Sequence, residues 1–507
     1  MKRDYPFTCI VVWSPLAEGA DRLVAREALE LGCRLVVPMP FEQTEYESDF
    51  ESSESVDEFR ALLARADRAF VVPHDGGQNE DRSSIYARCA AYVVKHCVEL
   101  IALWDGRVNG RVGGAADSVA FKLEGIPTPY VPESNAFDMA FAGPVLHVQT
   151  QRAKKSTHDA PPTTSVSTRL LYPPMLLEAE ARNAFDKVKR NIDQFNRDVL
   201  RLAGDNAHEQ ATDTRIQVEL VAGRYQRRVG RSLIAIFLLI FFAAVGFNVY
   251  LYLAHHPLVI LLAYLTFSGA ASAIYFVTRN GAWQERYQDS RALAEALRVA
   301  EYWRLANVNE SVANCIARAQ HAEVDWLPVA VRALTEPVGE LTPREDSETV
   351  NRLRVVDDRW IVDQQEYFAR IAGGREHRHE RIAATIAMAG IVLSVAISIV
   401  VGLLSRVGYT SEAIALVATN CALAAALIRG YADKRGWSEH ARRYDRMALL
   451  FARAHVALAE VLDAGTPNPR EYVRARVILR RLGEEAIREN VSWLTLHRTR
   501  PIEVPHT

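Results

Sequence analysis

The sequence lacks an excess of charge of either sign, with 60 Lys and Arg residues against 62 Asp and Glu. A chain that binds nucleic acid mainly by releasing counterions carries a surplus of basic residues, so this balance gives no support to such a function. Cysteine is scarce as well. The six cysteines form no CxxC pair and show no zinc-ligand spacing, which argues against a zinc site and a disulfide framework and favours a reducing compartment.

Two long stretches have almost no charged residues. Residues 232–277 contain no Asp, Glu, Lys or Arg, and residues 382–428 form a second apolar region. A membrane helix needs about 20 apolar residues at ~1.5 Å each, so each stretch can cross a bilayer twice. The link His255, His256 and Pro257 is short and ends in a residue without a backbone N–H. We therefore predict two antiparallel hairpins and four transmembrane helices.

The first 150 residues alternate between apolar strand patterns and helical patterns. Helices are predicted over residues 20–31, 56–66, 84–95 and 116–124, with apolar runs between them. This alternation is typical of parallel strands joined by crossover helices. The predicted fold class is an α/β Rossmann-like amino-terminal domain with a parallel sheet, followed by an all-α region with four transmembrane helices and long cytoplasmic helices.

Two loops follow predicted strands at the edge where such sheets bind ligands. The first contains Ser14, Gly19, Asp21 and Arg22. Backbone N–H groups at the helix amino terminus suit a phosphate, Arg22 can add a bidentate contact, and Asp21 can cap the helix or bind a ribose hydroxyl. The alternative is an ordinary capped turn with a surface arginine.

The second loop combines an aspartate with several glycines. Its candidate binding residues are Asp105, Gly106, Gly113 and Gly114. Glycines between a buried strand and a helix let the backbone approach an anion closely, although a plain flexible loop has the same composition. Because both loops are predicted at the same edge of one sheet, a shared ligand site is the favoured interpretation.

The run SPLAEGADRLVAREALELGCRLVVPMP resembles the SLOG superfamily, which includes DprA and the LOG-type nucleotide phosphoribohydrolases. FEQTEYESDF, EFRALLARAD and LIALWDGRVNGRVGGAAD extend the resemblance to about Tyr130. It implies a Rossmann-like fold, a nucleotide or nucleotide-derived messenger as ligand, and the eight loop residues named above as the binding residues. The family also has an initial strand, which this sequence is expected to lack.

The resemblance fails at the hydrolase motif. The hydrolases carry Pro-Gly-Gly-x-Gly-Thr-x-x-Glu, whereas this chain has RVGGAAD at residues 111–117. We therefore assign no catalytic residue, no metal and no cofactor, and expect the nucleotide to be a ligand. The alternative is a membrane-anchored phosphoribohydrolase that uses Glu18, Asp105 or Asp117 as its carboxylate.

Beyond a predicted linker, a long helix carries an apolar seam at spacings of three and four residues. Its members are Phe185, Val188, Ile192, Phe195, Val199 and Leu202. The seam indicates either a coiled coil or packing on another helix of the same chain. Trp303, Trp326 and Trp360 lie on apolar faces of later helices and are interpreted as core residues.

Basic residues flank the spans mainly on one side, whereas the two hairpin turns carry His255, His256 and Arg406. Arg227, Arg228, Arg279, Arg378, Arg381, Arg429, Lys434 and Arg435 stand at these flanks. The positive-inside rule then predicts a multi-pass protein of the plasma (inner) membrane with both termini in the cytoplasm.

Inside the spans the sequence has few polar groups. Asn248 and Asn420 are the only amides at depth and are expected to face the interior of the bundle, because an amide in hydrocarbon needs a partner. The third span has small residues at every fourth position: Gly390, Ser394, Ser398 and Gly402. They predict close helix packing, or alternatively a narrow polar path. The absence of charged residues within the spans weighs against a transporter.

The helices that follow the two hairpins share a pattern, with Trp283 corresponding loosely to Trp437, which hints at a duplication. The hairpin architecture is similar to the SLATT-type (SLOG-associated transmembrane) modules of bacterial conflict systems. This resemblance implies a membrane effector in antiviral defence that is controlled by a nucleotide ligand, embedded in a lipid bilayer and homo-oligomeric. A passive transporter is the remaining alternative.

The predicted domain boundaries complete this interpretation. They are 1–148 for the nucleotide-binding domain, 149–174 for the linker, 175–230 for cytoplasmic helices, 231–278 for hairpin 1, 279–381 for a cytoplasmic helical segment, 382–428 for hairpin 2, and 429–507 for carboxyl-terminal cytoplasmic helices.

Overall fold

The chain divides into two units in the computed structural model. The first contains Met1–Gln210 and Asn309–Pro343, and the second contains Ala211–Val308 and Arg344–Thr507. The structure describes residues 3–72, 81–108, 112–130, 143–150, 167–174, 176–205, 214–252, 257–308, 310–319, 326–335, 347–406, 412–462 and 469–498.

Strands and helices alternate at the start of the first unit. In chain order they are β1 Val11–Trp13, α1 Ala20–Glu30, β2 Arg34–Met39, α2 Gln43–Glu47, α3 Ser53–Leu63, β3 Arg68–Val71, α4 Arg82–His96, β4 Leu100–Trp104, α5 Ala115–Glu124, β5 Val145–Gln149, β6 Thr168–Leu171 and α6 Glu178–Asp205. β2 pairs in parallel with both β1 and β3. Its continuous run of buried apolar side chains is what a parallel strand covered on both faces requires.

The predicted alternation is confirmed, but the strands form two sheets. β4 pairs in parallel with β5, and β5 pairs antiparallel with β6, in a sheet separate from that of β1, β2 and β3. β6 also corrects the predicted linker over residues 149–174, because Thr168–Leu171 hydrogen-bonds to β5. Residues 151–166 of that linker lie outside the described residues.

Two later helices return to the first unit. They are α10 Val312–Ala319 and α11 Trp326–Thr335. The Phe195 and Trp326 rings lie 5.7 Å apart, and the Arg332 guanidinium donates to the carbonyl of Lys95 at 3.0 Å. The predicted segment 279–381 is therefore not one body. The contact also shows that part of the apolar seam on α6 packs within its own chain.

The second unit is entirely helical among its described residues. Its helices are α7 Thr214–Tyr252, α8 Leu258–Asn280, α9 Trp283–Leu305, α12 Ser347–Val356, α13 Asp363–Glu366, α14 Gly374–Arg406, α15 Glu412–Arg435, α16 Trp437–Leu462 and α17 Pro469–Arg498, with π-helical stretches at Asp357–Val362 and Tyr367–Gly373. Trp303 and Trp360 are buried here and Trp326 in the first unit, which confirms the prediction that they are core residues.

Four helical segments are long and apolar enough to cross a membrane. They are Thr214–Tyr252, Leu258–Asn280, Glu348–Arg406 and Glu412–Leu462. Extensive packing between spans involves three pairs among the described residues: α7 with α8, α7 with α15, and α14 with α15. The spans therefore follow one another in the order α8, α7, α15, α14. At the central contact the Asn248 amide donates to the Asn420 side-chain oxygen at 3.2 Å, as expected for amides that face the interior.

The two hairpins repeat with a constant shift of 154 residues. The shift is seen at the helix that follows each hairpin. The next helix begins at Trp283 or Trp437 (283 to 437), directly after a residue with left-handed backbone: φ is 48° at Ala282 and 65° at Gly436. The buried residues Ala271 and Ala425 also correspond. The loose sequence match is thus part of a structural repeat.

The row of small residues on α14 has different surroundings at its two ends. A Cβ atom on Gly390 would lie 3.1 Å from the Ala425 Cβ and 3.3 Å from the Cys421 carbonyl oxygen, so α14 and α15 meet closely there. Ser394 is half-buried. Ser398 is exposed and donates to the Ser394 carbonyl at 2.8 Å, and no described atom outside its own helix lies within 4 Å of a Cβ built on Gly402.

Replacing Gly390 by leucine tests the close approach of α14 and α15. The added side chain must displace α15, at a cost of about 1–3 kcal/mol, and we expect a lower thermal unfolding midpoint for the protein in detergent. Gly246→Leu is the matched control, because a Cβ at Gly246 meets nothing within 4 Å. Equal midpoints for the two variants would contradict this packing.

Candidate ligand site

The loop after β1 is folded around Ser14. This residue is 5% exposed, and its hydroxyl accepts a hydrogen bond from the Leu16 N–H at 3.2 Å and donates to the Asp21 carbonyl oxygen at 3.3 Å. The turn requires left-handed backbone at Leu16 (φ 58°) and at Gly19 (φ 92°), which precedes α1. Glycine suits the second of these positions because it has no side chain to oppose a positive φ.

Arg22 points into the unit. Its Nε donates to the Leu16 carbonyl at 3.0 Å, and its Nη1 donates to the Ser55 carbonyl at 2.8 Å and to Glu58 at 3.4 Å. The guanidinium also lies 4.4 Å from the centre of the Phe50 ring. Nε therefore closes the first loop on itself, and Nη1 holds that loop against α3. Nη2 is buried and has no partner among the described residues.

A buried polar cluster lies beneath the same loop. Burial raises the pKa of the Asp21 carboxyl to about 6, although the Ala17 backbone N–H donates to it and acts in the opposite direction. Burial also raises the pKa of Tyr46, and the neighbouring Cys89 and Asp21 add to that effect. The Tyr46 hydroxyl has no hydrogen-bond partner in the described part of the chain. A buried polar atom of this kind calls for a polar partner from outside the chain, such as water or a ligand.

The second loop is divided between two places. The Asp105 carboxylate accepts from the Arg107 N–H at 3.0 Å, and Gly106 has a φ of 79°. Further along, the Gly113 N–H donates to the Asp117 carboxylate at 2.8 Å, and Gly114 immediately precedes α5. Residues 109–111 lie outside the described residues.

Gly113 is held against the first turns of α4. Its φ is 81°, and a Cβ there would lie 2.7 Å from the Ala87 nitrogen and 2.9 Å from the Tyr86 carbonyl carbon. Only glycine fits such an approach without movement of the backbone. The Tyr86 ring in turn lies 6.2 Å from that of Tyr46. Tyr86 therefore connects the Gly113 turn to the cluster beneath the first loop.

The structure brings together Ser14, Asp21 and Arg22 with two residues that no sequence pattern singles out, Tyr46 and Cys89. The hydrogen bonds given above for Asp105, Gly113 and Asp117 stay within the second loop. Tyr46 lies within the FEQTEYESDF run, where a tyrosine on a short amphipathic helix was the only available signal. Cys89 comes from the middle of α4, and nothing in its surrounding sequence indicated a role.

The carboxylates considered for catalysis are all engaged in loop hydrogen bonds. Glu18 accepts from the Glu51 N–H at 2.9 Å and from the Ser55 hydroxyl, while Asp105 and Asp117 accept the backbone N–H groups described above. Among the described residues, no group of three or more His, Cys, Asp or Glu side chains is arranged to hold a metal ion.

No family model, curated protein or solved structure matches this chain. The assignment of a ligand therefore depends on the residues themselves, and the binding roles of Ser14, Gly19, Asp21, Arg22, Asp105, Gly106, Gly113 and Gly114 stay predictions.

Replacing Asp21 by asparagine tests the buried carboxyl group. Because its pKa is about 6 in the folded state and 3.8 in a model peptide, its contribution to stability is complete below pH 3.8 and is lost as the pH rises through 6. Asp21→Asn removes this dependence and should gain up to about 3 kcal/mol at pH 7. Hydrogen exchange of α1 amides in the full chain measures it. The exposed Glu27→Gln on the same helix is the control, and equal protection of both variants at pH 7 would contradict the assignment.

Proposed function

We propose that this protein is a membrane-embedded effector whose first unit binds a nucleotide-derived ligand and thereby controls the four apolar helices of its second unit. The main observation behind the proposal is that a charged helical segment and an apolar span form one continuous helix, α7. This helix is 39 residues long, about twice the length that a bilayer requires. Roughly half of it can therefore project from the membrane as one rigid rod.

The ligand assignment is supported by the cluster beneath the first loop. The Tyr46 hydroxyl and Arg22 Nη2 are buried polar atoms without partners among the described residues, and Asp21 beside them can change its charge near neutral pH. A hydroxyl, an arginine donor and a carboxyl that takes up a proton suit the polar groups of a nucleotide. The resemblance to the SLOG superfamily points to the same class of ligand.

The proposed location is the plasma (inner) membrane with both termini in the cytoplasm. The support is the basic character of the flanks, including Arg227, Arg228 and Arg279, which favours their retention on the cytoplasmic side. Arg429 at the end of the fourth span makes ion pairs with Glu380 at 2.9 Å and with Asp433 at 3.2 Å. In this arrangement the first unit faces cytoplasmic nucleotides.

An effector is preferred to the hydrolase because Glu18 accepts hydrogen bonds from Glu51 and Ser55, and Asp105 and Asp117 accept hydrogen bonds within their own loop. A glycosidic hydrolase needs a carboxylate that is free to act on the sugar. Control of membrane permeability as part of bacterial defence agrees with the resemblance of the hairpins to SLATT-type modules.

The experiment begins with mass spectrometry of small molecules released by heating the detergent-purified protein. The nucleotide that is found is then added to dye-loaded proteoliposomes that contain the full chain. We expect ligand-dependent dye release. Tyr46→Phe should reduce this release at least tenfold, because the change removes the buried hydroxyl group and keeps the packed ring. Tyr130→Phe, in the same unit, is the control and should behave as wild type.

Two results would overturn the proposal. One is dye retention at saturating ligand by a protein that is correctly inserted in the vesicles. The other is release of free base from nucleoside monophosphates by the purified protein, which would favour the hydrolase.

A further inference from the structure

The two hairpins meet in a head-to-tail manner. Hairpin 1 consists of α7 and α8, hairpin 2 consists of α14 and α15, and the contact between them joins α7 with α15. The first span of one hairpin thus packs on the second span of the other. In the row α8, α7, α15 and α14, second spans of a hairpin therefore alternate with first spans. Because this contact joins a first span to a second span, the corresponding surfaces of α8 and α14 are left uncovered at the two ends of the row.

The unused surfaces can be identified through the 154-residue shift. On α7, Phe237 and Asn248 face α15, because the Phe237 ring lies 5.5 Å from that of Tyr431 and Asn248 bonds to Asn420. Their counterparts on α14 are Ile391 and Gly402 (237 to 391, 248 to 402). Ile391 is 48% exposed, and Gly402 is exposed with open space beside it.

The same comparison applies to α15 and α8. Asn420 and Tyr431 face α7, and their counterparts on α8 are Thr266 and Val277 (266 to 420, 277 to 431). Val277 is 57% exposed and Thr266 is exposed, with its hydroxyl donating to the Leu262 carbonyl of its own helix at 2.8 Å. The surfaces that meet at the central contact are thus both open at the two ends of the row.

The two open surfaces also suit each other chemically. Neither carries a formal charge at these positions, and α14 presents Ser398 and Gly402, whose small size lets another helix approach closely. α14 and α8 have the same opposite chain directions as α7 and α15. A contact between α14 and α8 of two chains can therefore have the same geometry as the contact between α7 and α15 within one chain.

We propose that a second copy of this chain covers these surfaces, with α14 of one copy packing antiparallel on α8 of the next as α7 packs on α15. Because the contact joins unlike surfaces, each copy can add another, and the assembly closes into a ring or extends as a row. This inference rests on the proposed function, in which the four helices are inserted in a membrane. It adds the partner, a second copy of the chain, and the interface. A passage through the membrane would then be lined by several copies.

Cysteine cross-linking of the full chain in native membranes tests this interface. Thr266→Cys and Gly402→Cys occupy the positions that correspond to the hydrogen-bonded pair Asn420 and Asn248. Two differently tagged copies, each with one of these substitutions, are co-expressed and oxidised. We expect a heterodimer that contains both tags, and a ladder of dimers, trimers and larger species when both substitutions are in one chain. Exposed positions were chosen so that folding is preserved.

The matched control replaces Thr266→Cys by Leu265→Cys. Leu265 lies at the same depth and is 53% exposed, but it points about 100° away around the helix, so its yield of heterodimer should fall to the level of wild type. The wild type also reports any cross-linking through the native Cys421.

Three results would overturn the interface. They are equal yields with Leu265→Cys, a dimer formed by Gly402→Cys alone, which indicates a symmetric contact of α14 with itself, and a link found only within single chains. These failures differ from failure of the proposed function. Cross-linking requires membrane insertion but no ligand, so an inserted protein that responds to ligand without this cross-link would refute the interface alone.

Discussion

The hydrogen bond between Asn248 and Asn420 decides how the apolar helices are arranged. Lipid tails are as apolar as the side chains that face them, so burial of apolar surface does not select which helices pair. An amide in hydrocarbon must find a polar partner. Asn420 meets this demand by accepting from Asn248 and by donating to the Leu416 carbonyl at 2.8 Å. The two amides thereby fix α7 against α15 and set the depth at which they meet.

The energy of this bond is small, and its effect is on specificity. Hydrogen bonds between membrane helices contribute about 0.6 kcal/mol on average, less than the cost of overpacking one glycine contact. The hairpins themselves depend on close packing of small residues, seen where Gly390 lies beside Ala425. Packing therefore makes each hairpin, while the amide pair selects which surfaces of the hairpins meet. The amide pair thus contributes to the order of the four helices together with the packing of the Phe237 ring on that of Tyr431.

The sequence was sufficient for features that depend on local periodicity. The four spans, the alternation at the amino terminus and most helix boundaries follow from runs and spacings within about 20 residues. It was insufficient where distant segments meet. Pairing of β6 with β5 and the return of α10 and α11 to the first unit depend on tertiary contacts. The repeat was hard to detect because equivalent buried positions differ in residue type, as Leu233 and Ala387 do.

The candidate site shows the same division. A strand, a turn with Gly19 and a helix placed Ser14 and Asp21 in one loop, and this much is local. The direction of Arg22 was not predictable, because its partners Ser55 and Glu58 come from α3 and Phe50 precedes that helix. Tyr46 and Cys89 reach the cluster from α2 and α4, so their role depends on how those helices pack on the sheet. Only the packing shows that Nη2 is the donor of Arg22 that has no partner among the described residues.

The course of the chain indicates how a ligand in the first unit can act on the spans. The chain passes between the units three times, between residues 210 and 211, 308 and 309, and 343 and 344. The first passage leads to α7, the second follows α9, and the third leads to α12. The helices α15, α16 and α17 follow one another within the second unit. A ligand shifts the balance between two states only by binding them with different affinity. Under the proposed function, a change in the first unit would reach both ends of hairpin 1 but only one end of hairpin 2. Such an unequal input would act on the contact of α7 with α15, which joins the two hairpins.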